Sequence, residues 1–171
     1  MIVPHTTLQP DTAAALDATG WKWTPVDVSW HDGAYWSLLA TLWDAGETFA
    51  IVEHDVIVEP DTLDRLARCP EAWCAHPTPY LHGEHVGMGC VKFTDRLIAA
   101  RPQAVEEVGD MHDLQHPRRH WCRLDAWLQT MVLPHTGVQR HVHQPALRHV
   151  RPYETVPMPT HGCMSLTAPV L

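Results

Sequence analysis

Basic residues are few in this 171-residue chain: 12 Lys and Arg stand against 20 Asp and Glu, a formal net charge of −8 with His neutral. That excludes a broad basic face for nucleic acid and leaves room only for a local patch. Phenylalanine is scarcer still, with 2 residues, so the 8 Trp supply most of the aromatic bulk. No run approaches the ~18 consecutive apolar residues of a membrane span. No basic start followed by an apolar run opens the chain, so no secretory signal is expected. The five cysteines, Cys69, Cys74, Cys90, Cys122 and Cys163, form no close CxxC pair. They read as reduced thiols of a cytoplasmic protein. A glycine-rich phosphate loop is missing, and so is the Gly-x-Ser-x-Gly of an α/β-hydrolase.

What the chain does have is a 45% hydrophobic share, enough for one self-sufficient core and too little chain for two. It also has 14 His and 15 Pro. So many histidines in a small acidic chain point to a metal, a phosphate ligand or both, with most of them expected on the surface. Along the chain, apolar spacing predicts a strand over 1–4 and a helix over 9–19, with Pro10 in its first turn and Gly20 as its stop. A strand over 21–30, a turn at Asp32-Gly33 and a helix over 34–45 follow, then a buried strand over 49–52. Residues 56–58 continue extended, and Pro60 and Asp61 open a helix running to Arg68. This alternation predicts an α/β fold: one open, mostly parallel sheet flanked by helices through right-handed crossovers. The second half is less regular. Strands are expected at 72–75, 90–93 and 138–143, a short helix at 96–100 and a helix over 121–131 with Leu124, Trp127, Leu128 and Met131 inward. Loops are expected at 80–89 and 110–120, and a Pro-rich tail after the domain, over 153–171.

The stretch carrying the most chemistry is TFAIVEHDVIVEPDTLDRLAR, residues 48–68. A buried strand ends in Glu53-His54-Asp55. Strand alternation would turn Glu53 and Asp55 to one side at the sheet's carboxyl edge, where open α/β sheets bind ligands. Two such carboxylates can hold Mg²⁺ or Mn²⁺, and the ion can clamp a diphosphate. The competing account is two solvated acids at a strand end.

In these residues the chain resembles the GT-A glycosyltransferases, which use nucleotide-sugar donors. Their acidic strand-end motif, usually Asp-x-Asp, is matched by Glu53-His54-Asp55, with Glu in the first place. The opening strand Ile2-Val3-Pro4 resembles their first strand, whose following loop meets the nucleotide base. The resemblance therefore implies donor contacts from Pro4, His5, Thr6, Glu53 and His54, and from Asp27 in the second strand region. GMGCVKFTDRL, residues 87–97, resembles the segment building the acceptor side, and WCRLDAW, residues 121–127, the helix presenting the catalytic base. Asp125 is the matching acid. PALRHV, residues 145–150, resembles the late segment that returns a His to the metal or diphosphate, and His149 is the match. His143, with His141 on the preceding strand, competes for the same role. The implied metal set is Asp55, Glu53, His149 and His143. The resemblance spans about residues 1–152, and its brevity is similar to small phage-type enzymes of DNA hypermodification.

The expectation is thus a manganese- or magnesium-dependent hexosyl transfer from a UDP-sugar to a hydroxyl, inverting because Asp125 acts as a single base. The acceptor would be 5-hydroxymethylpyrimidine in DNA, met by the basic run at Arg118, Arg119, Trp121 and Arg123. The protein would then work in the cytoplasm of a host cell. Alternatives stay open. His-Asp pairs at 31–32, 54–55 and 112–113 occur in metal-dependent phosphohydrolases, though those are all-helical. A non-catalytic nucleotide-binding module would need no base. Cys69, Cys74, His76 and His82 form a loose zinc-like spacing interrupted by Pro70 and Pro77.

Overall fold

The computed structural model describes residues 1–80, 83–85, 87–115, 124–125 and 127–150. The first half alternates as its periodicity predicts: β1 (Ile2–His5), α1 (Pro10–Ala18), β2 (Thr24–Asp27), α2 (Ala34–Asp44) and β3 (Phe49–Val52). Proline occupies the start of α1, where no intrahelical donor is needed. Gly20 and Gly46 follow α1 and α2 at φ of 72° and 70°, a left-handed conformation that lets the chain turn back toward the sheet. The predicted second strand is shorter than expected, covering four residues and leaving Trp21 and Trp30 exposed, Trp30 at 66%.

β4 (Val56–Ile57) and α3 (Thr62–Arg68) come next, then β5 (Trp73–Ala75), a hairpin of β6 (Thr78–Tyr80) and β7 (Gly83–His85), and β8 (Cys90–Phe93). The hairpin replaces the loop expected there. α4 (Asp95–Ala100) begins at Thr94, whose hydroxyl accepts from the Leu97 amide. α5 (Ala104–Gln115) is helical where a polar loop was expected over 110–115. Among its described side chains Ala104, Val105 and Val108 are buried. The expected helix near 121–131 is seen as helical Leu124 and Asp125, then a π-turn over Leu128–Val132 and a 3₁₀ turn over Leu133–Thr136. The wider π-turn changes which side chains face inward. Leu124, Trp127 and Leu128 are buried, but Met131 is exposed. β9 (His141–Val142) and β10 (Arg148–His149) end the described chain's strands.

Six strands form the main sheet in the order β2-β1-β3-β8-β5-β9. The pairs β2–β1, β1–β3 and β5–β9 are parallel; β8 is antiparallel to both β3 and β5. Only β8 therefore runs against the others. From β1 the chain crosses to β2 on one side and then to β3 on the other, so β1 is a switch point in strand order. Successive crossovers of one hand in opposite directions place α1 and α2 on opposite faces. The two buried clusters reflect this. One holds Tyr35, Leu39 and Trp43 of α2 with Ile51, Trp73, Ala75, Val91 and Phe93; the other holds Leu16 of α1 with Val52, Cys74 and Cys90. Neighbouring strand residues alternate between the clusters, as a pleat of period two requires.

Both phenylalanines lie in this core. Phe49 and Phe93 are register partners on β3 and β8. Their rings are 5.4 Å apart, and Trp43 lies edge-on to Phe93 at 5.4 Å. Because Phe93 is fully buried, Phe93→Ala should destabilise the fold by about 3–5 kcal/mol. Urea unfolding followed by circular dichroism measures this. A loss under 1 kcal/mol (about the value for a surface change) would contradict the packing described.

Candidate functional site

A cavity opens where three parallel strands end. It is lined by Pro4 and Thr6 from the end of β1, Val28 just past β2, Glu53 and His54 just past β3, and Asp32 and Tyr35 from the entry to α2. This is the carboxyl edge at a switch point, where diverging crossovers leave a crevice between loops. The Tyr35 hydroxyl donates to Glu53 Oε1 at 3.1 Å. Glu53 N–H donates to the Gly89 carbonyl at 2.9 Å, which ties the acid to the start of β8.

Of the two acids, Glu53 lines the cavity and Asp55 does not. β3 ends at Val52, and the Val56 amide donates to the Glu53 carbonyl at 3.1 Å, closing a tight turn. Inside a turn the period of two no longer applies, so adjacent Glu53 and His54 both border the cavity. Asp55 is instead buried, at 2% exposure. β10 pairs antiparallel with β4, setting His149 opposite Val56. The Val150 amide donates to the Asp55 carbonyl at 2.6 Å. This register brings His149 Nε2 to 3.3 Å from Asp55 Oδ1, both side chains being almost fully buried.

The donor set here suits a hard divalent cation. It pairs a carboxylate oxygen with an imidazole nitrogen, and adjacent ligands on an octahedral ion with bonds of 2.0–2.1 Å are about 3 Å apart.

Asp125 approaches the segment before β8 through glycine. A Cβ built on Gly87 would lie 2.8 Å from Asp125 Oδ2. Only a residue without a side chain lets this carboxylate approach the 87–89 segment, which in turn holds the Glu53 amide.

The remaining expected site residues are distributed differently. His5 and Asp27 are register partners on β1 and β2 and do not line the cavity. Pro4 and Thr6, on either side of His5, are the lining residues from this segment. Asp27 accepts the Ser29 amide at 2.8 Å, and hydrogen bonding to Ser29 holds its carboxyl below the usual range. His143 joins Cys69 and Cys74, whereas the histidine at Asp55 is His149. Arg118, Arg119, Trp121 and Arg123 lie outside the described residues. Residues 153–171, expected as a Pro-rich tail, lie outside them too. Three cavity residues went unassigned in the sequence reading: Val28, Asp32 and Tyr35. Asp32 reads as half of an Asp-Gly turn and of a His-Asp pair, and Tyr35 as one residue of the helix over 34–45. The available signal was their position just before and within the first turn of the helix that follows β2.

No protein-family model and no curated protein sequence matches the chain. Solved structures do. A glycosyltransferase involved in the glycosylation of the major capsid of PBCV-1 superposes with a TM-score of 0.51 at 12% identity, covering 86% of this chain and 91% of that one. A197 from STIV superposes with a TM-score of 0.52 at 8% identity, covering 85% and 81%. At these identities the likeness is one of fold: the mixed, mostly parallel sheet flanked by helices is that of GT-A-like structures.

Proposed function

We propose that this protein is a metal-dependent glycosyltransferase that takes its sugar from a nucleotide-sugar donor. The observation carrying this reading is the buried Asp55–His149 pair, placed next in the chain to the cavity residues Glu53 and His54. The fold shared with a viral glycosyltransferase supports it. The all-helical character of His-Asp phosphohydrolases counts against that alternative, since His54 and Asp55 here follow a sheet strand.

In this reading Pro4, Thr6, Val28 and Tyr35 give the nucleotide an apolar seat, and Asp32, Glu53 and His54 supply polar contacts around it. Asp55 and His149 would hold the cation, with Glu53 positioned by Tyr35 for a ribose or a metal-bound water. Bound there, the cation supplies positive charge against the diphosphate as it leaves. Asp125 accepts the proton of the acceptor hydroxyl, and a single base of this kind leads to inversion. The donor is a UDP-sugar and the cation Mn²⁺ or Mg²⁺. The finer expectation of 5-hydroxymethylpyrimidine in DNA as acceptor rests on the resemblance to small phage-type enzymes and on the basic run from Arg118 to Arg123. With a net charge of −8, any such contact is local and weakens with salt.

A thermal-shift screen of nucleotide sugars with Mn²⁺ tests the reading directly, because a ligand that binds only the folded state raises its melting temperature. At least one nucleotide sugar should stabilise the protein, and only with the divalent ion present. No shift with any donor would reject the proposal. Nucleoside mass spectrometry after incubation with modified duplex then decides the acceptor, and transfer to a saccharide or protein instead would remove the DNA assignment. A smaller effect is expected from Tyr35→Phe, which deletes one hydrogen bond to Glu53 worth about 1 kcal/mol. Donor KM should rise roughly 3- to 10-fold with kcat little changed, measured by steady-state kinetics.

A further inference from the structure

A second cluster of metal-ligating side chains uses none of the cavity residues. Cys69 ends α3, Cys74 lies on β5, and His143 follows β9, where its amide donates to the Ala75 carbonyl at 2.9 Å. One ligand atom of each lies within 4.8 Å of the other two. The parallel pairing of β5 with β9, Cys74 opposite His141, is what carries His143 to the cysteines.

His143 Nε2 is buried and finds no hydrogen-bond partner among the described residues. A buried nitrogen left unsatisfied is costly, so the site asks for a ligand. Two thiolates and an imidazole form a soft to borderline donor set, which selects zinc over Mg²⁺ or Mn²⁺. Around a tetrahedral zinc with Zn–S bonds of about 2.3 Å and Zn–N bonds of about 2.0–2.1 Å, neighbouring ligand atoms lie roughly 3.5–3.8 Å apart. The observed cluster needs only a small contraction to meet that.

We propose that Cys69, Cys74 and His143 bind one zinc ion, with its fourth position open to water from the cleft bordered by Asp61, Asp64, Arg65 and Arg68. Two thiolates neutralise the ion's charge. The nearby cations therefore do not oppose it: Lys92, whose Nζ donates to the Cys69 carbonyl, and Arg65, which pairs with Asp61. The ligands come from three separate elements. The zinc thus fastens the two-residue edge strand β9, and with it the segment leading to His149, onto the body of the sheet.

The test uses the full chain, reduced and stripped with a chelator, titrated with Co²⁺ as an optical probe of thiolate ligation. One equivalent should give a sulfur-to-cobalt charge-transfer band that Zn²⁺ displaces. Cys69→Ser and His143→Gln should each weaken binding at least about tenfold, with circular dichroism reporting that they remain folded. Asp55→Ala should keep the band, which separates this site from the one at Asp55. Cys74 is too deeply buried to serve as a variant, so alkylation of Cys69, mapped by mass spectrometry, provides the second measurement. Zinc should slow alkylation at Cys69. Absence of the band in the folded, reduced protein would overturn the proposal. So would a band unchanged in both variants, or a Cys69–Cys74 disulfide that persists in reducing buffer.

Discussion

Asp55→Ala is expected to abolish metal-dependent donor binding, lowering nucleotide-sugar affinity by more than about a hundredfold. Loss of a residue that merely orients a ligand already costs 10- to 100-fold in metal affinity, and here the proposed ligand itself is removed. The mutation also leaves His149 in a buried site without the carboxylate 3.3 Å away. Calorimetry with a UDP-sugar, with and without Mn²⁺, measures the effect. Asp55→Asn, which keeps the volume, separates loss of charge from loss of packing. Both variants should lose the Mn²⁺ dependence of binding, and His149→Ala should weaken it in the same direction. Undiminished binding in Asp55→Ala would remove the metal assignment, whatever the fold resemblance.

Asp125→Asn should keep donor binding and lose transfer. Replacing the carboxylate by an amide of the same shape preserves the approach to Gly87 while deleting the proton acceptor. General-base catalysis contributes about 10²- to 10⁴-fold, so kcat should fall by that factor with donor affinity within about twofold of the wild type. Single-turnover transfer to the acceptor found in the screen gives kcat, and calorimetry gives the affinity. Transfer at the wild-type rate would show that another group takes the proton. Gly87→Ala offers a second check, because its new methyl would meet Asp125 Oδ2 at 2.8 Å and displace it. It should reduce transfer without touching either Asp55 or His149.

The parts of the fold that could be read from the sequence were those set by local patterns. Proline opening α1, glycines after α1 and α2 and the apolar run of β3 all mark boundaries through short-range geometry. The β8–α4 junction is likewise local, with Thr94 capping the helix at its hydroxyl. The reading failed where local signals were weak or misleading. The 80–89 stretch reads as a loop because Gly and His break any period, yet β6 and β7 pair as a hairpin through backbone groups indifferent to side chain. The polar composition of 110–115 concealed the second half of a helix that begins at Ala104. Trp30 shows the converse: a large apolar side chain is not proof of burial, and this one is mostly exposed.

By itself the sequence determined the βαβ order of the first half, the buried strand ending in acids, and the residue types able to bind a metal. Periodicity and turn chemistry act over a few residues and are carried by the chain wherever it goes. Tertiary structure alone decided which of those residues meet. The β4–β10 register selects His149 for Asp55, and the β5–β9 register sends His143 to Cys69 and Cys74. Each of these contacts joins residues far apart in the chain, and sheet register fixes it only once the core has closed around the strands.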